Sequence, residues 1–172
     1  MSNEKNDEII KPFLDFTREV IANNNEELYQ FILCCISSIV QNPGKKAETS
    51  LVLKGLQGIG KNVWTNSLAE LFEGYSCPNV TEIAELTGLF NSIVEGKMLI
   101  VLDELKNVRD DRTANFDALK RIITDSTIRI NEKNQPRSTA ENEANFIFVT
   151  YHKYPVKIEV GDRRYVVCDC NS

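Results

Sequence analysis

Two short segments carry residue types that could do chemistry together. The first, Gly55-Leu56-Gln57-Gly58-Ile59-Gly60-Lys61-Asn62, fits G-x-x-x-x-G-K but has Asn where the phosphate-binding loop (P-loop) pattern asks for Ser or Thr. Glycines let successive N–H groups turn toward a phosphate, the following helix adds its positive end, and lysine supplies a point charge to the outer phosphates. The second is Met98-Leu-Ile-Val-Leu-Asp103-Glu104, an apolar run ending on two carboxylates. In P-loop NTPases an aspartate at such a strand end holds Mg²⁺, commonly through water, and a neighbouring glutamate can orient or deprotonate the attacking water. Each segment has an ordinary reading, since a bare G-x-x-x-x-G-K arises by chance in about one such chain in twenty and paired acids are common in solvated turns. Their joint occurrence favours a bound triphosphate. Gly55, Gln57, Gly58, Ile59, Gly60, Lys61, Asn62 and Val63 are expected to line the phosphates of ATP. Asn62 and Asp103 are expected to hold Mg²⁺, because a carboxamide oxygen is also an oxygen donor. The missing hydroxyl bears on hydrolysis more than on binding.

Such groups need rigid elements to aim them. Leu51-Val52-Leu53 reads as a buried strand before the loop, and Val63, Trp64, Leu68, Leu71 and Phe72 place a helix over Asn62 to Phe72 after it. Upstream, Leu28, Phe31, Ile32, Cys35, Ile36, Ile39 and Val40 recur at helical spacing over Glu26 to Val40. An earlier helix carries Ile9, Phe13, Phe16, Val20 and Ile21, with Pro12 tolerable only in its first turn. Asn42-Pro43-Gly44 breaks the chain. Further on, the pattern predicts one helix over Ile83, Leu86, Phe90 and Val94, a strand at Met98 to Leu102, a helix around Phe116 to Ile123, and strands at Ile128 to Ile130, Asn145 to Thr150 and Tyr165 to Cys168. Alternating strands and helices imply an α/β fold with a central, mostly parallel sheet flanked by helices. A boundary near Asn42 to Thr49 divides a small N-terminal helical part, 1–44, from a core, 45–172.

Composition restricts the partners. At 172 residues the chain fits one globular domain of roughly 100–200 residues. Twenty Lys plus Arg against 25 Asp plus Glu give a net charge of −5, which excludes bulk-charge binding of nucleic acid and leaves only local contacts. The longest apolar stretch, Ile32 to Val40, is far short of the roughly 20 residues that cross a bilayer. The polar, acidic N-terminus lacks a secretory pattern, so an intracellular protein without membrane association is expected. Cys34, Cys35, Cys77, Cys168 and Cys170 form no C-x-x-C pair and His152 is the single histidine, which gives zinc little support.

Five blocks in order carry a resemblance: Gln41-Asn-Pro-Gly-Lys-Lys46, Leu51 to Lys61, Leu86-Thr-Gly-Leu-Phe-Asn91, Val101-Leu-Asp-Glu104 and Gly161-Asp-Arg-Arg-Tyr165. Over residues 28 to 169 the chain resembles the superfamily III helicase domain of viral and phage primase–helicases, similar to the poxvirus-type replicative NTPase. The resemblance implies an AAA+-like ATPase that forms a homo-oligomeric ring, usually a hexamer, and moves along single-stranded DNA at a viral or phage replication site. It implies that Lys61 binds the β and γ phosphates, that Asp103 holds the magnesium, and that Glu104 is the catalytic base. Lys133 matches a hairpin lysine that reaches DNA in the ring channel, with Arg129 and Arg137 as further contacts; an ordinary solvated hairpin is the alternative. One of Arg163 and Arg164 matches an arginine finger acting on the neighbouring subunit, although the pair could instead bridge Asp162 or Glu159.

The chain departs from that family at the strand Phe146 to Thr150, which should end in a sensor asparagine. Tyr151-His152 follows instead, and His152 is either its substitute or simply exposed. With eight residues after Arg164 there is no room for a primase domain, so a primase domain or protein is an expected partner. An excised domain, a short stand-alone relative and a decayed copy all fit that length. Two functions follow: an ATP-dependent replicative helicase domain, or a nucleotide-binding assembly module with weak or no hydrolysis. A small-molecule kinase or GTPase fits less well, because there is no Asn-Lys-x-Asp run and the hairpin and double-arginine blocks would be unexplained.

Overall fold

Leu51-Val52-Leu53 and Leu99-Ile-Val-Leu102 are apolar at every position, which suits strands covered on both faces. In the protein, a computed structural model describing residues 3–105, 112–151 and 161–171, they form β1 (Ser50–Lys54) and β3 (Leu99–Asp103). With β2 (Ser76–Val80), β6 (Asn145–Thr150) and β7 (Tyr165–Asp169) they build a five-stranded sheet in the order β2-β3-β6-β1-β7. Every neighbouring pair is parallel. A separate antiparallel hairpin joins β4 (Thr127–Ile130) to β5 (Ser138–Glu141), with Arg129 opposite Thr139.

Strand alternation sorts the core into two layers. Leu51, Leu53, Val101, Ile147 and Val149 face one side, where they pack with Ile21, Tyr29, Ile32, Trp64 and Leu68. Those partners come from the N-terminal segment, α2 (Glu26–Gln41) and α3 (Lys61–Leu71). Val52, Ile100, Leu102, Phe146 and Phe148 face the other side and meet Leu86, Leu119, Ile123, Ile128 and Ile130. Here the cover is α4 (Ala84–Thr87), α5 (Arg112–Thr124) and the hairpin. Among the described residues no helix is long and apolar enough to cross a membrane.

Local chemistry explains the boundaries. Asn25 caps α2 by accepting the Leu28 N–H at 3.0 Å, and Glu26 and Glu27 complement the dipole of the first turn. The C-terminus of α5 is capped from two directions. Lys46 Nζ donates to the Ile122 carbonyl at 3.2 Å and to that of Asp125, while Asn142 Nδ2 donates to the same two carbonyls at 2.6 and 2.8 Å. Burial pushes the Lys46 ammonium below its ordinary pKa, an effect opposed by the Asp125 and Glu48 charges.

Several expectations are corrected. Pro12 lies well inside α1 (Asn3–Phe16), not in its first turn. The Glu8 carbonyl that loses its helical partner there lies in the exposed stretch before Phe13, so the missing bond falls on the solvent side of the helix. The same helix then widens into a π turn, Thr17–Ile21, closed by Ala22 N–H on the Thr17 carbonyl at 2.8 Å. The single helix expected over Ile83 to Val94 is split into α4 and a 3₁₀ turn, Ser92–Val94. Gly88 ends α4 so closely that a Cβ there would lie 2.3 Å from the Ala84 carbonyl oxygen. β2 was missed because Ser76-Cys-Pro-Asn-Val80 has few apolar residues and a proline, which only an edge strand tolerates. β5 is a polar strand held by hairpin pairing instead of burial.

Candidate phosphate site at the carboxyl ends of the strands

The register brings the carboxyl ends of β1, β6 and β3 level, with Lys54 beside Thr150 and Asp103 beside Val149. In an open parallel sheet this edge, where the strand order reverses, is the usual ligand crevice. The end of β6 holds both loops in place. Gly55 N–H donates to the Thr150 carbonyl at 3.2 Å, and Glu104 N–H donates to the Val149 carbonyl at 3.0 Å. The glycine loop and the acidic loop are thus pinned to adjacent peptide groups of one strand.

Within the glycine loop, Gly58 and Gly60 adopt φ of +85° and +93°, backbone states that favour glycine. Gly60 is the N-cap of α3, and the N–H groups of that helix's first turn have no acceptor within the helix. Lys61 is only 5% exposed, with Nζ held by the Gly55 carbonyl at 3.0 Å and the Leu56 carbonyl at 2.7 Å. Asn62 Nδ2 donates to Asp103 Oδ2 at 2.6 Å, while Asp103 Oδ1 is buried without a partner. Glu104 follows in the left-handed region at φ +50°, a strained state for a side-chain-bearing residue. Val63 is exposed on the first turn of α3.

The donor set fits a magnesium–triphosphate. Among the described residues no cluster of three His, Cys, Asp or Glu could hold a metal ion by itself. A cation beside Asp103 would therefore take its remaining oxygens from phosphate and water, which is how Mg²⁺ is usually bound. The orphaned Oδ1 of Asp103 is an oxygen donor of the required kind. Arg129, Lys133 and Arg137 lie elsewhere, exposed along the hairpin. Arg163 and Arg164 lie at the opposite end of the sheet, where the Arg164 carbonyl accepts the Ser50 N–H at 2.7 Å. One strand length, roughly 15 Å, separates them from the glycine loop. Arg164 grips Asp162 with Nε at 2.8 Å and Nη2 at 3.1 Å, and its guanidinium holds the Asp162 carboxyl below the usual range. Arg163 is exposed. His152 lies outside the described residues.

Three neighbours of the loop escaped sequence reasoning. Phe16 covers Gly60 so closely that a Cβ there would be 2.7 Å from the ring. Thr17, in the π turn, accepts the Trp64 Nε1–H at 2.8 Å and itself donates to the Phe13 carbonyl at 2.7 Å. Cys170 abuts Gly55, and burial pushes its thiol up to about 11, although nearby Lys61 acts against that rise. The helical periodicity around Phe16 signalled burial but not its contact with Gly60.

Fold and site together define a three-layer α/β domain with a glycine-rich loop and paired carboxylates at one edge of a parallel sheet. The chain belongs to a family of unknown function, DUF5906, whose model matches residues 53–164. It is 35% identical over 129 residues to the DNA primase-polymerase of Nitratiruptor phage NrS-1, covering 74% of this chain and 18% of that protein. Two apo structures of the NrS-1 C-terminal region superpose with TM-scores of 0.81 and 0.80 at 28% and 27% identity, each over 95% of this chain and 38% of theirs. The chain thus spans less than a fifth of its curated relative.

Proposed function

We propose that this domain is a P-loop, AAA+-like ATPase of the superfamily III helicase type, coupling ATP hydrolysis to movement on single-stranded DNA during replication. The observation that carries this reading is the meeting of the glycine loop, Lys61 and the Asn62–Asp103 pair at the carboxyl ends of β1 and β3. In this reading Lys61 exchanges its loop carbonyls for the β and γ phosphates, and Gly58 to Val63 present backbone amides to them. Asp103 and the Asn62 carboxamide oxygen are the protein's ligands for Mg²⁺. When bound, the cation neutralises charge on the outer phosphates. Glu104 takes a proton from the attacking water. The hairpin supplies the DNA contacts through Lys133, Arg137 and Arg129. Similarity to a phage DNA primase-polymerase supports a role in replication beside a primase activity.

The position of the arginines favours action between subunits of a ring, usually a hexamer in this helicase type. Arg164 is committed to Asp162 and Arg163 projects from the end of the sheet far from its own loop. Arg163 is then the finger and Arg164 its support. Mixing Arg163→Ala with Lys61→Ala chains should restore part of the turnover that each lacks alone, as read by a coupled ATPase assay. No restoration at any ratio would remove the finger in trans.

The deciding measurement is ATP turnover with Mg²⁺, with and without single-stranded DNA. Turnover should rise with DNA and vanish in Lys61→Ala, whose nucleotide affinity should fall on the order of 100-fold through loss of a charged, partly desolvated contact. A second reading is favoured by the hydrogen bond from Asn62 Nδ2, which occupies one oxygen of Asp103. There the domain binds nucleotide as an assembly module and hydrolyses it weakly or not at all. Tight binding without turnover would select it.

A further inference from the structure

One cavity lies away from the glycine loop. A cleft of about 640 Å³ lies between α4, α5 and the hairpin, lined in part by Leu86, Thr87, Asn91, Arg121, Arg129 and Thr139. None of the residues from Gly55 to Val63, nor Asp103, lines it. Strand alternation makes it polar on one wall: Ile128 and Ile130 turn into the core, while Thr127, Arg129 and the cross-strand Thr139 face out. The last turn of α5 adds Arg121. Neither guanidinium is paired with another side chain among the described residues. One carboxylate, Asp125, also lines the cleft, and Lys46 is near enough to it to interact electrostatically.

Between the lining residues Thr87 and Asn91 the chain carries two exposed apolar side chains. Leu89 and Phe90 are 66% and 52% exposed. The loop that carries them is anchored to the hairpin through Asn91 and Asn131. Asn91 Nδ2 donates to the Arg129 carbonyl at 2.8 Å, Asn131 N–H donates to Asn91 Oδ1 at 2.9 Å, Asn91 N–H donates to the Asn131 carbonyl at 3.2 Å, and Asn131 Nδ2 donates to the Leu89 carbonyl. The segment that carries exposed Phe90 is therefore tied to the strand that carries Arg129, and Arg121, Thr127 and Thr139 line the same cleft.

We propose that this cleft is a contact surface for single-stranded nucleic acid, taking backbone phosphates on Arg121 and Arg129 and a base against Phe90. The proposal rests on the nucleic-acid partner inferred above and extends it beyond the hairpin tip. Phosphate contacts from a few basic residues, with stacking on aromatic rings, are how single strands are held without bulk positive charge. A partner's apolar helix would meet two guanidinium groups with no carboxylates of its own to offer, whereas a phosphodiester strand satisfies both.

The test is fluorescence anisotropy of a labelled oligothymidylate at several salt concentrations. Arg121→Ala should weaken binding several-fold and reduce the salt slope by about 0.7, the contribution of one phosphate on a single strand. Phe90→Ala should weaken binding about 5-fold or more with the slope unchanged, because stacking is not ionic. Affinity for a non-hydrolysed ATP analogue should stay as in the native chain in both variants. If both variants bind as the native chain does while Lys133→Ala weakens binding, the cleft proposal falls and the hairpin reading stands. If the native chain binds no oligonucleotide, both fall. Excess ATP displacing the oligonucleotide from Lys61→Ala protein would identify a free nucleotide as the occupant and would also overturn the proposal.

Discussion

Glu104→Gln should keep nucleotide affinity and lose turnover by about 10²–10⁴-fold, the usual contribution of a general base. The amide keeps the size of the side chain and removes only its ability to take a proton. Position supports so specific an effect: the residue follows Asp103 directly, and its N–H is tied to the Val149 carbonyl at 3.0 Å. Its φ of +50° is a state that costs of order 1–3 kcal/mol outside glycine. Glu104→Gly relieves that backbone strain and should be equally inactive. Single-turnover kinetics with radiolabelled ATP separates chemistry from binding. A loss smaller than about 10-fold in Glu104→Gln would assign the base elsewhere.

The largest stability effect is expected at Trp64, whose truncation to Ala should cost about 3–5 kcal/mol in chemical denaturation. The indole is 1% exposed, stacks on Phe13 at 5.9 Å between ring centres, and donates Nε1–H to Thr17 Oγ1 at 2.8 Å. Domains of this size have only about 5–15 kcal/mol of net stability, so the loss is a large share of the whole. Trp64→Phe separates the contributions. It keeps an aromatic ring against Phe13 and removes one hydrogen bond, leaving the Thr17 hydroxyl still donating to the Phe13 carbonyl at 2.7 Å. That variant should lose about 1 kcal/mol from the bond, plus the smaller ring's packing. Because Trp64 lies one turn beyond Lys61 on α3, Trp64→Ala should also weaken nucleotide binding. Equal denaturation midpoints for Trp64→Ala and the native chain would show that the N-terminal segment contributes little to holding α3.

The candidate site was legible where chemistry is local in the chain. Gly55 to Asn62 lies between a strand and a helix as its spacing requires, and Asp103-Glu104 ends a buried strand. Alternation of strands with helices and the unbroken apolar run Leu51-Val52-Leu53 implied two covered faces, and Leu51 and Leu53 pack on one side and Val52 on the other. Misreadings fell where a distant group overrode local preference. Gly88 stops a helix that apolar spacing would continue, because the chain turns to place Asn91 against the hairpin. Pro12 sits inside α1 where the stretch that loses a helical bond is exposed to solvent. Polar β5 exists only through its partner strand.

Residue order alone therefore determined where the backbone could make a tight glycine turn before a helix and which carboxylates would follow a strand, because these depend on glycine φ values and on short-range periodicity. Tertiary structure decided what meets across the sheet: Asn62 on Asp103, Phe16 on Gly60, Val149 and Thr150 holding both loops, and Arg164 on Asp162 rather than at its own chain's glycine loop. Such contacts join residues far apart in the chain. They are set by strand register and layer packing, which no local spacing encodes.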